Sequence, residues 1–416
     1  MTNKKSVLFL SAIDFKEKSI QVIRKTPEAY VDAGWDVNYI VVRDNSIYDN
    51  YYYENEINIP GLDLKRLYLP LQSKINQYGK NRVVRRLLQK TAYFLAVKKL
   101  YQAASKLLEE KEIDIIYGYE IHGVLAVNLL KLFGKIKTQK VISRFQGTFG
   151  SYYYDNKLYL KMIASLDHYL AMYLPSDLCI MTDDGTQGDK ALKLINSKNL
   201  KNYRFWVNGV DEQKLDEESI LKLKKEINPE NEIVFLTICR LEHWKRVDRA
   251  IMALAHLKKN YGINQFKYFI VGEGVEKNNL IKLAKEHNLE KNISFTGAVP
   301  HSKVKSFLNI ADIYISTYDT SNVGNPLLEA IRSNKIIFTL NNGDTGNWIQ
   351  HKKNGFIYDI SNNLSDEMAT DIHYLINNEF FREKIVKNIK KTENEKLWSW
   401  KDRLDEEVAE TSKLIA

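Results

Sequence analysis

Residues 233–245 read IVFLTICRLEHWK. The opening run, Ile233–Ile238, shows no alternation of polar and apolar residues. It therefore predicts a strand buried on both faces, the kind found in a parallel sheet. The segment goes on through Arg240, and Lys245 follows after a turn. Downstream the pattern repeats. Helical spacing marks Val247–Lys259, Asn279–His287 and Asn325–Ser333, and short apolar runs predict strands at Tyr268–Val271, Ile293–Thr296, Ile313–Ser316 and Ile336–Thr339. Upstream lies a first series, with strands at Ser6–Leu10, Val37–Val42, Ile113–Tyr117, Lys140–Arg144 and Leu178–Thr182. A helix at Ile20–Ala33, kinked or restarted at Pro27, ends at Gly34. Strands alternating with helices predict an α/β chain, and two such series predict two Rossmann-like domains. Their expected extents are residues 1–207 and 208–395, with a helical segment at 396–416 packing back on the first domain.

The 416 residues exceed one ordinary core, and 44% hydrophobic with 27% charged residues exclude a disordered chain. No uncharged apolar run reaches about 18 residues, so no transmembrane helix is expected. The run SVLFLSA near the N-terminus is short and soon meets Asp14, which favours a buried strand over a signal peptide. Cys179 and Cys239 are far apart in apolar surroundings. They give neither a metal spacing nor a disulfide framework, which fits a reducing cytoplasm, and no metal site is expected. The net charge of +9 is uneven. Residues 1–210 hold 31 Lys+Arg and 21 Asp+Glu, leaving 30 and 31 for the remainder. Within residues 64–108 there are 11 cations and no acid, which predicts an anionic partner for the first half alone.

Three segments of the second half carry chemistry. In LTICRLEHWK, Arg240 and Lys245 follow a strand whose end faces the ligand crevice of an open α/β sheet. Two cations there can hold a diphosphate and stabilise it as it leaves. FIVGEG, residues 269–274, is a strand and a turn containing Gly272 and Gly274. STYDTSNVGNPLLEA, residues 316–330, leads from a strand through a polar turn into a helix. Pro326 suits the first helical turn, free amides around Gly324, Asn325 and Leu327 can bind phosphate, and Glu329 can accept hydrogen bonds from ribose hydroxyls.

Taken together, CRLEHWK, VGEG, ISFTGAVP, ADIYIST and SNVGNPLLEA resemble the ordered motifs of the retaining family-four GT-B glycosyltransferases, the glycosyl transferases group 1. NNGDTGNWIQHKKNGFIYD and the Asn208–Asp211 stretch NGVD resemble further family segments, and the resemblance is strongest over residues 205–360. It implies a GT-B fold, two Rossmann-like domains with a donor/acceptor cleft between them, and transfer of a sugar from a nucleotide-sugar, a UDP-sugar foremost. It further implies that Arg240 and Lys245 bind the donor phosphates, that Glu329 holds the ribose, and that Gly297, Ala298 and Val299 flank the base. Gly324, Asn325 and Pro326 would lie beside the diphosphate and donor sugar. The implied chemistry is retaining and metal-independent, without a resident cofactor, and the donor phosphate itself deprotonates the acceptor hydroxyl.

The sequence departs from the family at three places. The family's first of two paired glutamates, which contacts the donor sugar, is Ser321 here, with Asp319 or Asn322 as stand-ins. The Gly-rich loop after the first strand is SAIDFKEKS, where Lys16 or Lys18 can replace it by charge. The usual histidine near the reacting sugar aligns with Gln146, and His122 is an alternative cleft residue.

On the acceptor side, Gln146, Gly147 and the aromatic segment containing Tyr152 are expected to face a saccharide or lipid-linked acceptor. The basic stretch 64–108 reads as helical and amphipathic from Val83, a surface for an anionic membrane or a plain solvated face. No nucleic-acid motif accompanies the basic charge. The composition, rich in Asn, Lys and Ile, suits bacterial surface-polysaccharide assembly. Two other readings stay open: a catalytically silent GT-B subunit stabilising an active partner, and a nucleotide-sugar epimerase.

Overall fold

The computed structural model describes residues 4–15, 22–43, 56–69, 75, 81–212, 217–228, 230 and 232–416. They divide into two compact units. The first comprises Met1–Asp183, Gly188–Val207 and Lys401–Ala416, and the second comprises Asp184–Gln187 and Asn208–Trp400.

Among the described residues the first unit is built on seven strands: β1 (Ser6–Ser11), β2 (Asp36–Arg43), β3 (Leu62–Tyr68), β4 (Ile115–Tyr119), β5 (Lys140–Phe145), β6 (Leu178–Thr182) and β7 (Tyr203–Trp206). All pair in parallel, in the order β3-β2-β1-β4-β5-β6-β7. Helices α1 (Val22–Asp32), α2 (Arg82–Glu110), α3 (Glu120–Leu132), α4 (Gly150–Asp155), α5 (Tyr159–Ala164), α6 (Leu166–Tyr173) and α7 (Gly188–Leu194) accompany it. Every residue of β1, β4 and β6 is buried, as a strand covered on both faces requires. Phe9 at the centre of β1 meets Tyr30 of α1 edge-on at 5.4 Å and Tyr117 of β4 at 4.6 Å.

Among the described residues the second unit has six strands, also all parallel: β8 (Ile233–Ile238), β9 (Phe266–Val271), β10 (Ile293–Gly297), β11 (Ile313–Ser316), β12 (Ile336–Leu340) and β13 (Phe356–Tyr358). Their order is β10-β9-β8-β11-β12-β13. The helices are α8 (Glu217–Ile227), α9 (Val247–Tyr261), α10 (Lys277–Glu286), α11 (His301–Ile310), α12 (Asn325–Arg332), α13 (Leu364–Ile376) and α14 (Glu379–Lys396). Phe235, Ile251, Tyr268 and Phe338 form part of one core cluster.

Helix α15 (Trp400–Lys413) belongs to the first unit from Lys401 onward. The helical segment expected to start at Lys396 is corrected here: α14 ends at Lys396, and α15 starts after Leu397–Ser399. Along α15, Arg403, Glu407 and Thr411 recur every fourth residue and all are buried. Glu407 accepts from the Tyr117 hydroxyl at 2.6 Å and pairs with Arg403 at 2.8 Å and Arg144 of β5 at 3.6 Å. Thr411 shares a 2.6 Å hydrogen bond with Tyr30.

Among the described residues, no helix is long and apolar enough to cross a membrane.

Candidate functional site

In the second sheet the connections leave β8 and β11 in opposite directions, so the strand order reverses between these two neighbours. Such a reversal opens a crevice beyond the carboxyl ends of the strands. Arg240 and Lys245 follow β8, and the turn into α12 follows β11.

The turn after β8 is zipped to the turn after β9. Cys239 N donates to Val271 O at 3.0 Å, Leu241 N to Glu273 O at 2.9 Å, and Glu276 N to Leu241 O at 2.9 Å. This approach explains two glycines. A Cβ on Gly272 would lie 1.8 Å from Cys239 O, and one on Gly274 would lie 2.4 Å from Leu241 O. Both serve backbone packing. Gly272 N also donates to Gly297 O at 2.9 Å, which holds half-buried Gly297, Ala298 and Val299 beside the same turn. The Arg240 side chain is left exposed and makes no hydrogen bond or ion pair among the described residues, while its carbonyl accepts from Glu242 N at 2.9 Å.

Lys245 sits differently. Asp319 N donates to Trp244 O at 2.9 Å, and Thr317 Oγ1 donates to Arg246 O at 2.8 Å. Asp319 pairs with Arg249 at 2.8 Å. These bonds fix the loop after β11 against the loop after β8 and place Trp244 and Tyr318 around the Lys245 ammonium. Its Nζ lies 3.9 Å from the Trp244 ring centroid and 3.6 Å from that of Tyr318. Burial pushes the Lys245 ammonium down to about 8, with Arg240 adding to the shift and Asp184 opposing it. Asp319, expected as a possible sugar contact, is therefore committed to the loop's arginines.

Ser321 Oγ donates to Asp184 O at 2.8 Å and accepts from Val323 N at 3.3 Å. Gly185 packs directly behind it, since a Cβ there would lie 2.2 Å from Ser321 Oγ. Gly185 O in turn accepts from Asp344 N at 3.2 Å. A longer side chain at 321 would overlap this segment. Asn322 is 1% exposed; its Oδ1 accepts from Tyr318 N at 3.0 Å and its Nδ2 donates to Asn342 Oδ1 at 2.8 Å. The expectation that Asn322 stands in at the sugar is thus corrected: one end of its amide is spent on its own loop and the other on the segment after β12.

Gly324 caps α12 in an extended conformation, and a Cβ on it would meet only Pro326 Cδ, at 3.9 Å. The first helical bond runs from Leu328 N to Gly324 O at 3.1 Å, which leaves the Asn325 and Leu327 amides ahead of it for an anion. Asn325 Oδ1 accepts from Asn208 Nδ2 at 2.9 Å. One turn in, Glu329 is 4% exposed, and its Oε1 lies 3.2 Å from His301 Nε2. His301, the first residue of α11, escaped the sequence reading. Its only signal there is its place directly after Val299 and Pro300.

In the first unit, His122 lies in the opening turn of α3, its ring centroid 4.1 Å from that of Tyr93 on α2. Burial pushes the imidazole down to about 4, His168 and Lys90 in the same direction and Asp167 against it. A neutral imidazole packed on a tyrosine ring fits a helix–helix contact. Gln146 N donates to Glu120 Oε1 at 2.6 Å, and its side-chain amide donates to the Tyr119 hydroxyl. Gly147 follows with φ +120°. Tyr152 is half-buried on α4. Lys16 and Lys18 lie outside the described residues.

Residues 219–392 match the glycosyl transferases group 1 family. The O-antigen biosynthesis glycosyltransferase WclY of Escherichia coli is 25% identical over 249 residues, 57% of this chain and 64% of its own length. The poly(ribitol-phosphate) alpha-N-acetylglucosaminyltransferase of Staphylococcus aureus (strain COL) is 30% identical over 147 residues, 34% and 28% of the two chains. The chain thus spans less than two thirds of these curated relatives. Among solved structures, sucrose-phosphate synthase from Thermosynechococcus elongatus superposes with a TM-score of 0.74 at 15% identity, covering 99% of both chains. HepE of Anabaena, solved with UDP, superposes at 0.69 and 16% identity over 98% of this chain and 99% of its own. The fold of the whole chain is therefore GT-B, and the part of its second unit from 219 to 392 is similar to the glycosyl transferases group 1 family.

Proposed function

We propose that the protein is a glycosyltransferase that moves a hexosyl group from a nucleotide-diphosphate sugar, a UDP-sugar foremost, to a saccharide or lipid-linked saccharide acceptor. Its setting is the cytoplasmic side of bacterial surface-polysaccharide assembly. The observation that carries this reading is the set of groups at the β8/β11 reversal. An Arg240 side chain that is exposed and unpaired among the described residues, a Lys245 held by two aromatic rings, and the amides opening α12 support a diphosphate site there.

In this reading Arg240 and Lys245 take the diphosphate and stabilise the charge that grows on it as the glycosidic bond breaks. The Asn325 and Leu327 amides add donors at the helix N-terminus. Glu329 accepts from the ribose hydroxyls, and Gly297, Ala298 and Val299 flank the base. The acceptor hydroxyl is deprotonated by a donor phosphate oxygen on the face from which the nucleotide leaves, which gives retention without a metal. Gln146, Gly147 and Tyr152 of the first unit contact the acceptor.

One observation favours a second reading, a catalytically silent GT-B subunit that stabilises an active partner: Ser321 is engaged by Asp184 where the family carries a carboxylate. Thermal unfolding with UDP, GDP, ADP, CMP and their sugar conjugates separates these. A ligand that binds only the folded protein raises Tm. One diphosphate should stabilise the wild type and fail on Arg240→Ala and Lys245→Ala. Stabilisation without any sugar consumption would favour the silent subunit. No stabilisation at millimolar nucleotide would sink the transferase and put the silent subunit first.

A further inference from the structure

The order of the first sheet also reverses, between β1 and β4, whose connections leave in opposite directions. Glu120 stands at that reversal, as the first residue of α3 directly after β4. Its φ is +58°, in the left-handed region that glycine and asparagine enter and a glutamate rarely does. Close backbone approach holds the turn on both sides. A Cβ on Gly118 would lie 2.8 Å from Val124 Cα, and one on Gly123 would lie 2.1 Å from Leu10 O. The stretch GYEIHG, residues 118–123, thus packs α3 tightly against β1 and β4. If the turn alone mattered, glycine would serve at 120 without strain. A strained residue kept at the end of a central strand points to its side chain.

That side chain reaches past the next strand. Glu120 Oε1 accepts from Gln146 N at 2.6 Å, just beyond the end of β5, which pairs with β4. The Gln146 side-chain nitrogen donates to the hydroxyl of Tyr119, the last residue of β4. Two consecutive residues of one turn therefore fix the main chain and the side chain of Gln146 together. Tyr119 is 1% exposed, so its hydroxyl is a fixed anchor, while Glu120 and Gln146 are half-buried. With its nitrogen spent on Tyr119, Gln146 keeps Oε1 as the free end of its amide, without a partner among the described residues.

We propose that Glu120 is a positioning residue for sugar transfer: acting through Gln146, it holds an amide carbonyl oxygen in place to take a hydrogen bond from a hydroxyl of the saccharide acceptor. A neutral carbonyl accepts a hydrogen bond but takes no proton at neutral pH. Its part is orientation, and deprotonation stays with the donor phosphate. In this role Glu120 itself touches no substrate. The inference rests on the reading of Gln146 as an acceptor contact.

The test uses the full-length protein, isotope-labelled at its glutamine nitrogens and followed by NMR. It is titrated with the methyl glycosides of glucose, galactose and N-acetylglucosamine in the presence of UDP. In the wild type at least one glycoside should shift the Gln146 side-chain signals. Glu120→Ala should weaken binding of that glycoside about tenfold or more, with the Tm shift by UDP unchanged. Glu120→Gln, which keeps an oxygen for Gln146 N, should recover most of the affinity. Glu120→Gly relieves the backbone and should keep the wild-type Tm or exceed it, yet lose the glycoside as Glu120→Ala does. A merely structural role would not part stability from binding in this way. Adding Glu120→Ala to Gln146→Ala should cost nothing further. Equal glycoside affinity in the wild type, Glu120→Ala and Glu120→Gly would overturn the proposal and leave Gln146 as a contact. Gln146 signals that no glycoside moves would overturn the contact, and the proposal with it.

Discussion

The Nε2 atom of His301 lies 3.2 Å from Oε1 of Glu329, a carboxylate buried at the foot of α12. A hydrogen bond to a charged group contributes about 1.5–3 kcal/mol. His301→Ala should therefore free the carboxylate to turn away from a ribose and raise the KM for donor about tenfold or more, with kcat much less affected. Restoration of KM by His301→Gln would show that the imidazole acts as a donor. An unchanged KM in His301→Ala would remove His301 from the donor site.

Lys245 is caged by Trp244 and Tyr318, and burial holds it near 8. Only the ammonium form attracts a diphosphate. Nucleotide affinity should fall as pH rises through about 8, and Lys245→Arg, which stays charged, should flatten that limb. Titrating UDP binding calorimetrically between pH 7 and 9.5 checks this. The stability sign is the reverse. The folded state holds the proton less tightly than the unfolded chain, so the charged form costs stability below pH 8. Lys245→Met should raise the Tm at pH 7 by a few degrees while abolishing the UDP shift.

Ser321 anchors the Asp184–Gln187 segment. Ser321→Ala removes the bond to Asp184 O and should cost about 1 kcal/mol. Ser321→Glu collides with Gly185 and should cost about 1–3 kcal/mol by overpacking. Urea unfolding of the two variants should rank them in that order. A neutral Ser321→Glu would mean that the segment moves aside readily.

Glu407 joins Arg403, Arg144 and Tyr117 inside the first unit. Burial raises its pKa, but Arg403, Arg144 and the Tyr117 hydroxyl outweigh it, and the net shift is downward. Its contribution is therefore complete above the ordinary glutamate range near 4.5 and is lost as pH falls through the lower folded value. Glu407→Ala strands two buried guanidinium groups and should destabilise the first unit by about 3–5 kcal/mol. Glu407→Gln should lose most of the acid dependence in a pH series of melting curves.

The central strands were legible because a strand covered on both faces must be apolar throughout. The two edge strands of the first sheet were not. β3 reads LDLKRLY and β7 reads YRFW, and both lie half in solvent, so neither shows an apolar run. The restart of the last helix was hidden because neither glycine nor proline marks Leu397–Ser399. At the candidate site, Arg240, Lys245 and Glu329 announce themselves by charge at strand and helix ends. Gly272 and Gly274 have a second reason, backbone crowding, that no sequence shows. His301 and Asp184 are distant in sequence from Glu329 and Ser321, and nothing in their local pattern points to those partners.

The return of α15 to the first unit bears on how the chain is made. Tyr117 and its partner Glu407 are 290 residues apart. At ribosomal speeds of roughly 5–20 residues per second, roughly 15–60 s separate their synthesis. Through that interval Arg144 belongs to a nascent sheet that lacks its Glu407 partner, and the first unit can close its interior only after the second has been translated. A ribosome that stalls late in the message would release a complete second unit joined to an unfinished first one.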